Sequence, residues 1–331
     1  MKKVLLVCLS VMLLAACSSG EEKLFRKAQI LTDKGHLEKA IQAYSSIIKK
    51  NPHHYAAYVS RGLLYEQLKA KDAEQAKKNK QLAERDYVKA ISLNYQHPEI
   101  FNNLAALYID QGRYSEAVLQ LNQALLLRPD YKMALLNRAV AYSQQGKISQ
   151  ALTDFAEVEF LDNRFPLLYL NRGLAFFDAG YYASAAEEYS YLAQLEPENP
   201  RAYLERGRAF VKMGYFQNAM DDFQKATALR EDYAMPYYYA AELLFSKGDT
   251  DQGLAYAEQA KKFAPNYAPI YEMMGDMLAL ESPVEATQHY LAARRLNPAQ
   301  ARRYQGKIRM MTTENGRKRV VASRFLNIDK K

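Results

Sequence analysis

The stretch from Phe101 to Asp130, FNNLAALYIDQGRYSEAVLQLNQALLLRPD, sets the terms for the whole chain. Apolar residues recur there at helical spacing (Phe101, Leu104, Ala105, Tyr108), Gly112 interrupts them, and a second periodic run (Tyr114, Ala117, Leu121, Ala124) continues to Pro129. The spacing predicts a helix, a tight turn and an antiparallel helix.

The rest of the chain is largely copies of this unit. In the same 34-residue frame, residues 21–54 keep Ala28, Gly35, Ala40, Tyr44 and Pro52, and residues 55–97 keep Tyr58, Gly62, Tyr65, Ala83, Tyr87 and Ala90 around nine extra residues. The copies at 98–131, 132–165, 166–199 and 200–233 are regular, 234–267 has Gly253 where Ala is usual, and 268–298 is one residue short at its turn. Small residues at the eighth, twentieth and twenty-seventh positions let the paired helices approach closely, and aromatic side chains fill the gaps beside them. With 26 Tyr and no Trp those fillers are mostly Tyr, so no Tyr is assigned to catalysis or base stacking.

The order large residue, Leu, small, aromatic, Gly, aromatic, Ala, aromatic or Leu, Ala and Pro resembles the tetratricopeptide repeat. The resemblance implies an all-α fold, a right-handed α-solenoid of about eight helix pairs over 21–298 with a C-terminal capping helix. Each repeat then touches only its neighbours, and length alone does not divide the array into domains. A composition of 49% apolar residues with only 14 Gly supplies such a core and leaves little for a sheet.

Residues 299–331 read as the cap and a tail. Over Ala299 to Met311, Tyr304, Ile308 and Met311 fall at apolar spacing with Arg302, Arg303, Lys307 and Arg309 expected outside, and Thr312 to Lys331 is expected to be a mobile basic tail. Between Leu68 and Leu82 the turn Gly is missing and strong helix formers dominate, so both helices of the second repeat are expected to gain about one turn. Lys69, Lys71, Lys77, Lys78 and Lys80 against Asp72 and Glu74 make that knob basic, either solvated or facing anionic headgroups.

The N-terminus speaks to location. Lys2 and Lys3 precede an eleven-residue apolar run, Val4 to Leu14, too short to span a bilayer and suited to a secretory signal. Leu14-Ala15-Ala16-Cys17 resembles the lipobox of bacterial lipoproteins. That resemblance implies a signal at 1–16, cleavage before Cys17, a lipid on its thiol, and residues 17–20 as a short linker. Ser18 after the Cys looks like the outer-membrane sorting type, which gives a lipid-anchored envelope protein facing the periplasm as the expected location. Cys8 would leave with the signal, so the mature chain would hold no free thiol. The linker spans about 10 Å at roughly 3.5 Å per residue, placing the first repeat beside the headgroups.

Charge and chemistry narrow the function. Residues 299–331 hold ten Lys or Arg against Glu314 and Asp329, which accounts for the entire net charge of +8 and leaves the rest near neutral. Nucleic acid is therefore not expected as a partner, whereas anionic lipid or cell-wall polymer could meet the tail. The five His show no metal-binding spacing, no Gly-rich phosphate loop follows a strand, and no catalytic residue, cofactor or metal is expected.

What remains is a binding surface. In tetratricopeptide arrays the first helix of each repeat lines the concave face, mainly through positions two, five, nine, twelve and thirteen. Here they give Met133, Leu136, Val140, Leu167, Leu170, Leu174, Phe177, Leu204, Arg208, Val211, Met235, Tyr238 and Phe245. An exposed apolar run of that kind marks a partner site unless tight winding or the chain's own tail covers it. Asn137 and Asn171 lack the accompanying Lys of the carboxylate clamp seen in resembling cochaperones, so an amphipathic helix or extended apolar segment is the expected ligand. The resemblance implies a membrane-tethered scaffold that assists an envelope complex, a role that includes pilotins of type IV pilus secretins. A structural spacer without a ligand is the alternative.

Comparing repeats exposes one more pattern. Position seven is Arg61, Arg138, Arg172 or Arg206 in the same four repeats whose position twenty-three is Asp86, Asp154, Glu188 or Asp222. The match predicts an Arg-carboxylate bridge inside each of those repeats.

Overall fold

A computed structural model describes residues 20–94 and 96–328, with side chains as far as residue 322. Cys17 and the expected signal at 1–16 lie outside the described residues. The chain forms two compact units, the first ending at Gln145 and the second beginning at Gly146, a division that falls at the turn of the fourth repeat. In the first unit α1 (Gly20–Asp33) pairs with α2 (Leu37–Lys50), α3 (Tyr55–Gln67) with α4 (Ala73–Leu93) and α5 (Pro98–Asp110) with α6 (Tyr114–Leu127), and α7 (Lys132–Gln144) follows. The second unit opens on α8 (Ile148–Leu161) and continues with the pairs α9 (Pro166–Asp178) and α10 (Tyr182–Leu195), α11 (Pro200–Met213) and α12 (Phe216–Leu229), α13 (Ala234–Ser246) and α14 (Thr250–Phe263), and α15 (Ala268–Leu278) and α16 (Pro283–Leu296). A 3₁₀ turn (Pro298–Gln300), α17 (Ala301–Met310) and α18 (Glu314–Ile328) complete it. Among the described residues there is no strand, and the fold is the expected all-α solenoid of helix pairs.

Local chemistry explains where the helices stop. At the end of α11, Gly214 takes φ +79°, donates to Val211 O at 3.1 Å and lets Tyr215 N–H reach Phe210 O at 2.9 Å. That left-handed cap satisfies the last carbonyls and turns the chain back. Pro98, Pro166 and Pro200 open helices where no donor is missed.

Packing follows the repeat frame. Ala40, Ala83, Ala117, Ala151, Ala185, Ala219 and Ala286, at position twenty, are all 0% exposed. Position twenty-four supplies the rings that fill the space between helices, with Tyr44, Tyr87, Phe155, Tyr189, Phe223 and Tyr290 fully buried. Where position eight is Gly, the ring edge occupies the missing side chain's place, since a Cβ on Gly173 would lie 2.6 Å from Tyr189 Cε1.

Three segments depart from expectation. The insert lengthens α4 alone, to 21 residues against 14 in α6, while α3 keeps 13. Asp72 caps α4 by accepting the Gln75 N–H at 2.8 Å, and buried Asn79 donates to Leu68 O at 3.3 Å, so the loop is tied to the second helix and the first cannot continue. In α17 Lys307 faces inward, and Arg303, half of it exposed as expected, reaches back to the same place, because Glu272 and Asp276 of α15 are buried there and need counter-charges. Residues 314–328 form a helix instead of a mobile tail. Thr313 caps α18 by accepting the Gly316 N–H at 3.1 Å, and Val320, 2% exposed, finds a place beside Ala279, Tyr290 and Met311. Lys318 and Arg319 stay outside.

Candidate functional site

In the second unit the first helices of successive repeats, with α17, enclose a cavity of about 610 Å³. Its walls come from Phe177 of α9, Arg208 and Val211 of α11, Tyr238 and Tyr239 of α13, and Glu272 and Asp276 of α15, with Tyr267 and the inner face of α17 closing it. Periodicity places these groups: residues three or four apart on a helix share a face, and stacking brings those faces together.

Two charge clusters shape the interior. Arg208 lies 4.8 Å from the Phe177 ring and 5.1 Å from the Tyr239 ring, and its guanidinium donates to Glu205, which is 7% exposed. Burial opposes that charge, yet Glu205 and Tyr239 hold the Arg208 pKa above its ordinary value. It is a fixed cation with an aromatic lining. At the far wall Asp276, 0% exposed, accepts from Lys307 Nζ at 2.6 and 2.9 Å and from Tyr290 OH at 2.8 Å. Glu272, 4% exposed, pairs with Arg303 Nη2 at 2.6 Å and Lys307 Nζ at 2.7 Å. Aromatic faces and compensated charges suit binding.

Among the described residues no His or Cys lines the cavity, and its Ser246 hydroxyl donates to Leu243 O at 2.6 Å. Among the described residues no group of His, Cys, Asp or Glu could hold a metal ion. None of the described helices is long and apolar enough to cross a membrane.

The expected groove residues divide into two kinds. Phe177, Arg208, Val211 and Tyr238 come together around the cavity, while Leu174 and Met235 are half-buried and Leu167 is 39% exposed in the same unit. Leu170, Leu204 and Phe245 are core, at 7%, 3% and 3% exposure, and Tyr238 retains only 8%. The reason is packing between successive first helices: Leu204 packs with Ala240 and Leu243 of α13, and Tyr238 and Phe245 with Ile270, Met273 and Met277 of α15. In the first unit Leu136 is likewise buried, with Met133 and Val140 half-buried. Position five is thus a core position. Tyr239 and Tyr267 fall outside the lining positions, whereas Glu272 and Asp276 are positions five and nine of the eighth repeat and Arg303 and Lys307 the same positions counted from Ala299, so the pattern marks these four only when it is carried past the seventh repeat, where the expected groove ended.

Three of the four position-seven pairs are present. Arg61 grips Asp86 with Nε at 2.7 Å and Nη2 at 2.8 Å, and Arg206 grips Asp222 at 2.9 and 2.7 Å. Arg172 Nε lies 2.9 Å from Glu188 Oε1, poorly aligned, and turns Nη1 to Glu159 at 2.7 Å. Arg138 and Asp154 belong to different units; Asp154 is 4% exposed. Each Arg also reaches the preceding repeat, Arg61 to Ser45 Oγ at 2.9 Å, Arg138 to Asn122 Oδ1 at 2.8 Å and Arg206 to Ser190 Oγ at 3.2 Å. These charges stitch three helices and are structural.

Comparison with known proteins agrees with this architecture. Tetratricopeptide-repeat family models match residues 25–77, 106–146, 173–214 and 200–233. Human protein O-mannosyl-transferase TMTC3 is 34% identical over 110 residues, 33% of this chain and 11% of that protein. Human tetratricopeptide repeat protein 13 is 29% identical over 106 residues, 32% of this chain and 12% of that protein. The chain thus spans about a tenth of the length of either curated relative. A tetratricopeptide repeat protein from Parabacteroides merdae superposes with a TM-score of 0.63 at 22% identity, covering 77% of this chain and 97% of that one. Pseudomonas aeruginosa pilF gives 0.52 at 20% identity, covering 67% and 97%. At such identities the structures speak for the fold alone. The matched residues are thus tetratricopeptide repeats, set in an all-α solenoid of paired antiparallel helices whose small and aromatic repeat positions are buried.

Proposed function

We propose that the protein is a non-enzymatic scaffold, tethered to a membrane through a lipid on Cys17, that holds an apolar or amphipathic segment of a partner protein in the groove of its second unit and so assists an envelope complex. The observation that carries the reading is the cavity itself, with aromatic walls and buried acids whose charges are compensated from within. The lipobox-like Leu14 to Cys17 supports the tether, and its combination with tetratricopeptide repeats favours assembly of a surface machine, the type IV pilus secretin being the narrower form. Outer-membrane attachment facing the periplasm follows from Ser18 on the same reading.

Leu170 is too buried to probe the groove, so the test uses Phe177 and Val211, both half-buried at the cavity. Phe177→Glu with Val211→Glu should abolish recovery of co-purifying protein from envelope membranes while leaving helical circular dichroism and the melting transition nearly unchanged. Undiminished recovery would remove the groove from the function.

For the tether, Cys17→Ser should give an uncleaved or mislocalised precursor and eliminate metabolic labelling by a palmitate analogue. Several acyl chains at ~0.8 kcal/mol per buried CH₂ anchor a protein durably, so a modified mature chain should resist extraction by high salt. Continued labelling of the Ser variant would end the proposal.

A further inference from the structure

The near-neutral balance of residues 1–298 conceals a polarity. Residues 20–94 hold fifteen Lys or Arg against nine Asp or Glu, whereas residues 95–298 hold eighteen against twenty-six. Much of the N-terminal surplus lies on second helices. On α4 the exposed side chains recur three or four residues apart, Lys77, Lys78, Gln81, Arg85, Val88 and Lys89, and from Lys77 onward that face carries no carboxylate. On α2, Lys39, Lys49 and Lys50 are exposed against Glu38. None of these seven cations has a carboxylate partner among the described residues. Lys80 differs, since it turns to Asp110 of α5 at 2.7 Å.

The next second helix is apolar where α4 is basic. On α6, Ser115, Leu119, Asn122, Gln123, Leu126 and Leu127 are exposed with no charge among them, Leu119 at 61% and Leu126 at 76%. Arg113 at its start binds Glu84 of α4 at 2.9 Å, so the two helices are neighbours. The three faces share one side of the first unit because they occupy the same places in the repeat. Positions twenty-two and twenty-nine are Gln42 and Lys49, Arg85 and Ser92, and Leu119 and Leu126, all exposed. In the second unit position twenty-two is acidic on α10 and α12, at Glu187 and Asp221. Asn51 Nδ2 donates to Glu21 Oε1 at 2.7 Å, which sets the start of α1 against the end of α2. Antiparallel pairing brings the C-terminal ends of α4 and α6 to that same end, and Cys17 precedes Gly20 by three residues.

We propose that the outer face of α2, α4 and α6 is a docking surface for an anionic lipid bilayer: the Lys and Arg side chains of α2 and α4 meet the headgroups, and Leu119, Leu126 and Leu127 enter the interface beside them. Exposed apolar side chains flanked by unpaired cations are the combination that holds helices at a charged membrane surface. The inference rests on the membrane half of the reading above and adds a pose to it. The first unit lies on its second helices, and its first-helix side stays in water. A lipid on Cys17 supplies a high effective concentration, and the face then fixes the orientation.

The experiment uses the purified full chain, hydroxyl-radical footprinting read by mass spectrometry, and vesicles of phosphatidylcholine alone or with about one-third phosphatidylglycerol. Leu119 and Leu126 should be oxidised at least about threefold more slowly on the anionic vesicles than on the neutral ones, while Met133, on the first-helix side of the same unit, should react alike on both. Lys77→Gln with Lys78→Gln and Arg85→Gln should weaken docking roughly 100-fold and erase the protection, whereas Lys77→Arg with Lys78→Arg should retain it. These positions are exposed, so helical circular dichroism should not change. Protection equal on both kinds of vesicle, absent from both, or insensitive to the Gln changes would overturn the proposal. Protection that needs envelope protein in place of lipid would also overturn it and assign the face to a protein partner. Cys17-dependent palmitate labelling with unprotected leucines would leave the tether standing and remove only the docking face; protection of the leucines without labelling would do the reverse.

Discussion

Phe223→Ala should destabilise the second unit by about 3–5 kcal/mol, and Gly207→Ala, which in most helices stabilises, should destabilise it by about 1–3 kcal/mol. Phe223 is 0% exposed, and its ring fills the space a side chain at position 207 would need. A Cβ on Gly207 would lie 2.7 Å from Phe223 Cε1 and 3.2 Å from Ala219 O, so neither the ring nor the facing backbone has room to yield. Overpacking therefore outweighs the gain of about 1 kcal/mol that Ala brings to a helix interior. The two residues share one volume, which makes their combination diagnostic. Gly207→Ala with Phe223→Leu should cost less than the sum of the single changes by at least about 1 kcal/mol. Urea titration followed by circular dichroism would measure it. Because the sixth repeat is internal, Phe223→Ala should also broaden or split the transition, since each repeat is stabilised chiefly by its neighbours. Strict additivity in the cycle would show that Gly207 is not reserved for the ring.

That ring-over-glycine contact is legible in the amino-acid sequence. Small residues at positions eight and twenty and an aromatic at twenty-four recur in frame, and the 34-residue period leaves one way to pair the helices. Gly112 and Gly214 mark turns because a left-handed cap needs them. The groove is harder to read, since Leu136, Leu170 and Leu204 obey the same helical period whether they face water or the next repeat's first helix. Only the angle between successive repeats settles that, and no local pattern encodes it. The tail misleads for a related reason. Its charge suggests a solvated segment, while the burial of Val320 depends on Ala279 and Tyr290, both distant in sequence.

The insert and the ion pairs show the same limit at shorter range. Helix-forming residues from Ala73 onward announce more helix, but Asp72 as a cap and Asn79 as a tie decide that α4 receives all of it. The co-occurrence of Arg at seven and an acid at twenty-three reveals the bridge inside a repeat. It cannot reveal the third partner, because position twenty-five is polar at Ser45, Asn122 and Ser190 but also at Gln224 and Glu258, which precede repeats without the Arg.

Arg206→Ala should cost about 3–5 kcal/mol at pH 8, more than Asp222→Ala, and its cost should shrink as the pH is lowered. The side chains of Arg206 and Asp222 are 22% and 7% exposed, so a lone Arg206 can tilt toward water while a lone Asp222 cannot. Burial already lifts the Asp222 pKa above the usual carboxylate range, and the hydrogen bonds and charge of Arg206 are what restrain it. Without Arg206 the restraint is gone and the folded-state pKa climbs further. A carboxylate whose folded pKa exceeds its unfolded one binds protons more tightly when folded, so stability is retained at low pH and falls as pH rises through the interval between the two values. The stability difference between the unaltered chain and Arg206→Ala should therefore widen from pH 5 to pH 8, whereas for Arg206→Met with Asp222→Leu, which removes both charges and keeps the volume, it should stay small and flat. Parallel urea titrations of the three chains across that range would decide it. A difference for Arg206→Ala that does not change with pH would mean that Asp222 finds another counter-charge or reaches water, and that the bridge positions the helices without carrying their stability.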